Sequence, residues 1–201
     1  MEPTTPRRPA TFSFDAPDHV ANWRPLVNWI LALPHYVILY GLRILSEGVA
    51  LISWFAIVFT GSLPEGLANI QMMYLRYELR TYSFSAFMRE EYPPFAFGTT
   101  AIDGGEDPRV RVDFAPQFTD RNRLTVAFRI ILVIPHVIVL AFLAIAAAVV
   151  TLIAFFAVLF TGQWPEGMRD FVLNVLRWYL RVSTYFMLLT DEYPPFALAE
   201  Q

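Results

Sequence analysis

The sequence has no cysteine among its 201 residues. That excludes disulfides, thiolate nucleophiles, iron–sulfur clusters and cysteine-based zinc sites, and leaves the redox compartment unread. Lysine is missing too, all 15 basic residues being arginine. A physical cause would have to act at every surface position, so genomic GC bias is the simpler source and points to a high-GC bacterium. Charge of either sign is sparse, at 16% of residues with a net charge of -3, which implies neither a nucleic acid nor a polyacidic substrate. The opening stretch MEPTTPRRPATFSFDAP is polar, with three prolines before Phe12. It lacks the apolar centre and cleavage site of a signal peptide, so insertion is expected to rely on internal segments. No glycine-rich phosphate loop, metal-binding helix motif, nucleophile elbow or pair of broken transporter-like helices is present.

What the chain has in excess is apolar surface. Hydrophobic residues make up 56% and aromatics 16%, against about 45–50% apolar in ordinary soluble domains. The excess is organised by a repeat at a constant offset of 101 residues, from FTGSLPEG (59–66) to FTGQWPEG (160–167). LPHYVIL and IPHVIVL, LRYELR and LRWYLR, EEYPPFA and DEYPPFA keep the same offset. This is a tandem duplication. Short alternating segments, TFSFDAP (11–17) and VRVDFAP (110–116), precede the copies and read as strands outside the membrane. GTTAIDGGEDP (98–108) is linker chemistry. The expected division is a polar N-terminal segment 1–23, a hairpin module 24–98, a linker 99–123 and a second hairpin module 124–201.

Within each module one apolar run is long enough to cross a bilayer, since roughly 20 apolar helical residues suffice. The spacing predicts helices from Pro34 to Phe59 and Pro135 to Phe160, with each proline in a first turn. Gly61 and Gly162 are expected as left-handed caps, and Pro64 and Pro165 as starts of the returning helices, Leu67 to Met88 and Met168 to Thr190. In the second of these, Asp170, Asn174, Arg177, Arg181 and Thr184 share one face. An arginine facing the bilayer centre costs about 2.5–3.5 kcal/mol, so four of them facing lipid would cost roughly 10–14 kcal/mol. The stripe is therefore expected either to turn inward in a four-helix bundle or to float at the interface with its arginines snorkelling to headgroups. Strands on one side of the membrane require an even number of crossings per module. The expected fold is thus an all-α membrane protein, a duplicated helical hairpin with four transmembrane helices and two short extramembrane strands. Arginines at the N-terminus, after the first returning helix and in the linker favour both termini in the cytoplasm, in a multi-pass protein of the bacterial inner membrane. Pro93 and Pro194 in EYPPF are expected to stop the returning helices, with Tyr92, Phe95, Tyr193 and Phe196 as interfacial aromatic anchors.

The combination of PH, FTG-x-x-PEG, LR-aromatic-x-LR and EYPPF resembles a bacterial family, domain of unknown function family 4389, over roughly Pro25 to Phe97 and Val126 to Leu198. The resemblance implies an integral membrane protein with no established activity, cofactor or catalytic residue. The first copy departs from the pattern by placing Tyr77 where Trp178 stands and Leu63 for Trp164, and by adding Arg43, Glu47 and Glu78.

Two constellations carry possible chemistry. Arg76, Arg80, Arg177 and Arg181 sit on equivalent faces and could form one positive patch for an anionic lipid or partner. The alternative is internal neutralisation by Glu78, Glu47 or Asp170. His35 and His136 follow the matched prolines and would ligate haem or a metal if symmetry brought them together, the competing reading being a helix-start hydrogen bond or headgroup contact. No catalytic set, resident cofactor or metal site is expected. His19 reads as a solvated loop residue, and Arg43 with Glu47 as a neutralising i, i+4 pair. The expected function is a non-enzymatic accessory, scaffold or anionic-lipid-binding module, working among membrane lipids, in a larger membrane assembly or as a homo-oligomer. A small anion channel or transporter subunit is the alternative, and haem or metal binding through His35 and His136 the second.

Overall fold

The computed structural model describes residues 8–198; Arg7, part of the basic N-terminal cluster, lies outside them. Along the chain come β1 (Ala10–Phe14), α1 (Arg24–Leu31), α2 (Leu33–Thr60), α3 (Glu65–Ser85), β2 (Val110–Phe114), α4 (Arg123–Ala127), α5 (Arg129–Thr161) and α6 (Glu166–Phe186). The long apolar runs form α2 and α5. Each ends on a left-handed glycine, Gly61 at φ 76° and Gly162 at φ 69°. Pro64 and Pro165 cap α3 and α6 in extended geometry, and Glu65 and Glu166 occupy the first turns, at the positive end of the helix dipole.

Three local features differ from expectation. Short helices α1 and α4 precede the long ones, and α5 begins early enough to enclose Pro135, which costs a helical hydrogen bond there. Pro34 stays in the first turn of α2. The returning helices stop before the EYPPF segments. Their ends are made by left-handed Phe87 (φ 45°) and Leu188 (φ 68°), an equivalent pair. Met88 N–H then closes on Ser83 O at 3.2 Å and Leu189 N–H on Thr184 O at 2.9 Å, the six-to-one bond of a Schellman ending. Both strained residues are buried, which holds them in a conformation that bulky side chains rarely adopt.

The strands pair antiparallel with Phe12 opposite Val112, so the two copies share one sheet. Its centre lies over the middles of α3 and α6. Arg76, midway along α3, donates to Val112 O, and Arg177, midway along α6, donates to Phe12 O. Each copy therefore grips the strand of the other across a local two-fold axis.

The hairpins run head to tail. The tip of the second meets the base of the first: Val20 N–H donates to Gly162 O at 2.8 Å, Asn22 to Leu159 O at 3.1 Å and Trp164 to Phe87 O at 3.1 Å. The tip of the first meets the base of the second in the same way, through Leu63 N–H to Phe118 O, Arg121 N–H to Gly61 O and Trp54 to Val126 O. The strands do lie together, but the halves point in opposite directions, against the expected parallel pair of hairpins.

The elements form three layers. The sheet packs on α3 and α6, and these pack on α2 and α5; among the described residues neither strand touches α2 or α5. On α3, Arg76 and Arg80 face the sheet, while Gln71 and Tyr77 reach Ser46 and His35 of α2 on the other side. Among the described residues two helices rather than four, α2 and α5, are long and apolar enough to cross a membrane. The polar helices α3 and α6 form the middle layer.

Candidate functional site

The interior beneath the sheet is built from arginines. Arg76 is 1% exposed and gives its guanidinium to Gly98 O and Thr100 O, both at 2.8 Å, and to Val112 O. Arg80, also 1% exposed, bonds both Asp103 oxygens at 2.8 and 3.0 Å and Glu106 at 2.9 Å. Arg89 holds Asp107 at 2.6 Å. The acids come from the linker, not from Glu78, Glu47 or Asp170. Asp103 is the centre of this clamp, with Arg76 at 3.2 Å and the N–H groups of Val112 and Gly105 donating to it. Burial acts to raise the Asp103 carboxyl, but the two N–H donors and the two guanidiniums hold it below the usual carboxylate range.

In the second copy Arg177 bonds Phe12 O and Asn174, and Arg181 donates to Ala197 O. Arg76 and Arg177 thus reach the one sheet from either side, while Arg80 goes to the linker acids and Arg181 to the segment after α6, so the chain itself uses all four. A clamp that periodicity does not reveal lies at the base of this copy. Asp191 accepts from Arg121 at 2.7 Å, Arg129 at 2.6 Å and Asn122 N–H at 2.7 Å. Arg129 also donates to Tyr185 O and Thr190 O and lies over the Tyr185 ring. Burial works against ionisation of Asp191, yet Arg121, Asn122 and Arg129 keep its carboxyl below the ordinary range. The acid before each YPP was the available signal, because Glu90 in the first copy likewise ties back to Ala21 N–H and Arg24.

His35 and His136 are buried in separate aromatic cages, one at each base. His35 stacks on Phe95 beside Tyr92, and its Nδ1 lies 2.6 Å from Tyr77 OH. His136 stacks on Phe196 beside Tyr193 and accepts from Trp178 Nε1–H at 3.3 Å, which puts its proton on Nε2. The EYPPF aromatics, expected as interfacial anchors, are the lids of these cages. Head-to-tail packing places the two rings at opposite ends of the molecule. Among the described residues no group of three or more histidines and acids is arranged to hold a metal.

One buried acid remains. Glu78 accepts from Tyr74 at 2.7 Å, Tyr82 at 3.1 Å and Tyr179 at 2.6 Å. Tyr179 is its counterpart in the second copy, so the pair meets across the local two-fold axis.

The fold and its clamps define a class: two helical hairpins packed head to tail on a shared strand pair, with an ionic interior. The model of the family described as "Domain of unknown function (DUF4389)" matches residues 22–96 and 123–197. The chain belongs to that family and carries its domain twice. No curated protein and no solved structure matches it.

Proposed function

We propose that the protein is a membrane-held scaffold, anchored by α2 and α5 and displaying its sheet and linker to water. The observation that carries this reading is inverted burial. Arg76, Arg80, Arg89 and Arg129 are among the largest fully buried side chains, while Val37, Tyr40, Phe59, Ile130, Phe142 and Phe160 are each at least 67% exposed. A water-soluble domain does the reverse and rarely exposes a contiguous apolar patch above a few hundred Å². Lipid removes the cost of that surface. The architectural part of the reading rests on the interior charges, which tie linker, strands and bases together rather than converge on an open cleft.

Exposed Arg8, Arg111 and Arg123 favour a cytoplasmic side for the sheet and linker. The test has two arms. Flotation with vesicles after carbonate washing should carry the protein upward, and recovery at the bottom would end the membrane reading. Native mass spectrometry from membranes should retain phospholipid or a copurifying subunit; a clean, delipidated monomer would leave membrane residence intact and remove the scaffold role.

A further inference from the structure

We infer that the protein lies flat in one leaflet, its local two-fold axis along the membrane normal, with α2 and α5 among the acyl chains of that leaflet and the sheet in water. The inference rests on the membrane reading and specifies the surface that meets lipid.

The axis decides it. Because the hairpins run head to tail, the sheet sits at half the height of α3 and α6. If α2 and α5 stood along the normal, the sheet would lie at the bilayer midplane. Exposed Asp15, Glu106 and Arg111 would then face hydrocarbon, at about 2.5–3.5 kcal/mol for a central Arg or Asp. Arg43 and Glu47, with side chains 69% and 60% exposed at the middle of α2, would add to that burden. Turned through a right angle, the sheet's charges are in water. Arg43 and Glu47 then meet the acyl layer only as a mutually neutralising i, i+4 pair, 2.9 Å apart.

Length and charge agree. The 33 residues of α5 span about 50 Å at about 1.5 Å each, far more than the roughly 30 Å of hydrocarbon. In the plane that length meets no limit. A crossing arrangement would also put the first base, with Arg24 and Arg89, on one side and the second base, with Arg121 and Arg123, on the other. That splits the arginines evenly, against the usual one-sided bias. The flat arrangement keeps them all at one surface. A helix about 10–12 Å across with an apolar outer face fits the depth of a single leaflet.

The absence of cysteine makes the test direct. Ser13→Cys on the sheet and Glu65→Cys and Glu166→Cys at the two tips should all react with a membrane-impermeant maleimide from the same side: all three in inverted vesicles and none in spheroplasts, or the reverse. Tips labelled from opposite sides mean crossing with the axis in the membrane plane. Both tips labelled opposite Ser13 mean parallel crossing hairpins. Either result overturns the inference while leaving membrane residence intact, whereas a protein that fails to float removes both. The unmodified protein gives an independent reading: polarised infrared dichroism should place the helix axes in the membrane plane, and axes along the normal would overturn it. Bimane at Ile131→Cys, Ile145→Cys and Phe156→Cys of α5 should be quenched by lipids brominated at one common chain depth. Maximal depth at Ile145 would indicate crossing. No quenching at any of them would mean that a second copy or another protein covers the face, and would overturn acyl chains as its occupant.

Discussion

The two copies solve one packing problem with different charges. The first draws acids from the linker that follows it, so that Asp103, Glu106 and Asp107 hold Arg76, Arg80 and Arg89. The second relies on Asp191, inside its own repeat, to hold Arg121 and Arg129. Where Arg129 reaches two carbonyls at its base, the first copy has Asn28, which donates to Phe84 O and Arg89 O. The outer helices diverge too. α5 is more apolar than α2, with Ala144 and Ala148 where α2 has Arg43 and Glu47. A duplicated hairpin therefore preserves carbonyl capping and acid placement at its base, while the side chains that supply them are exchangeable.

Acidification should expose the shared weakness most strongly. Asp103 and Asp191 both titrate below the ordinary aspartate value of 3.8 in the folded protein. Their stabilisation is full above that value and is lost as pH falls through the lower folded values. Melting followed by tryptophan fluorescence in detergent should hold steady near neutrality and collapse below about pH 4; a melting temperature insensitive to acid would deny both clamps. Single substitutions separate the copies. Asp103→Ala strands two guanidiniums and should cost about 3–5 kcal/mol, the range for breaking a buried ion pair. Asp191→Ala should cost somewhat less, because its side chain is 13% exposed against none for Asp103. The opposite order in thermal melts would make the second copy the better-built half.

Smaller effects sharpen the contrast. Tyr179→Phe removes one hydrogen bond to the Glu78 carboxyl across the axis and should cost about 1.5–3 kcal/mol, the range for bonds to charged groups. Denaturant titration beside Glu78→Gln would show whether the two effects are coupled. Gly162→Ala should be worse than Gly61→Ala, about 2 against about 1 kcal/mol. A Cβ at Gly162 would overlap the His19 ring, whereas one at Gly61 would meet Arg123 at 3.1 Å. Equal losses would mean that His19 simply swings away. Arg43→Ala should change melting by no more than about 0.5 kcal/mol, as exposed i, i+4 pairs do.

Much of the fold was legible because the signals are local. The left-handed glycines after Phe59-Thr60 and Phe160-Thr161, the alternating strands and the long apolar helices each follow from nearby residues. That Arg76 and Arg80 avoid lipid followed from the cost of exposing them there; the choice between an inward turn and an interfacial position did not. Their partners were not legible: Asp103 lies 23 residues beyond Arg80 in a glycine-rich loop, where no helical spacing connects them. The Schellman endings at Phe87 and Leu188 were hidden too, because nothing about those residue types signals positive φ. The matched histidines could have shared a ligand only if symmetry brought them together, and the structure puts them in two cages.

A doubled, apolar, arginine-bearing hairpin can be read directly from the residues, because periodicity, caps and hydropathy are written within one turn or one repeat. The head-to-tail run of the halves comes from long-range packing alone. A tandem repeat is compatible with either direction, and the choice is made by contacts more than a hundred residues apart: Val20 to Gly162, Asn22 to Leu159 and Arg177 to Phe12.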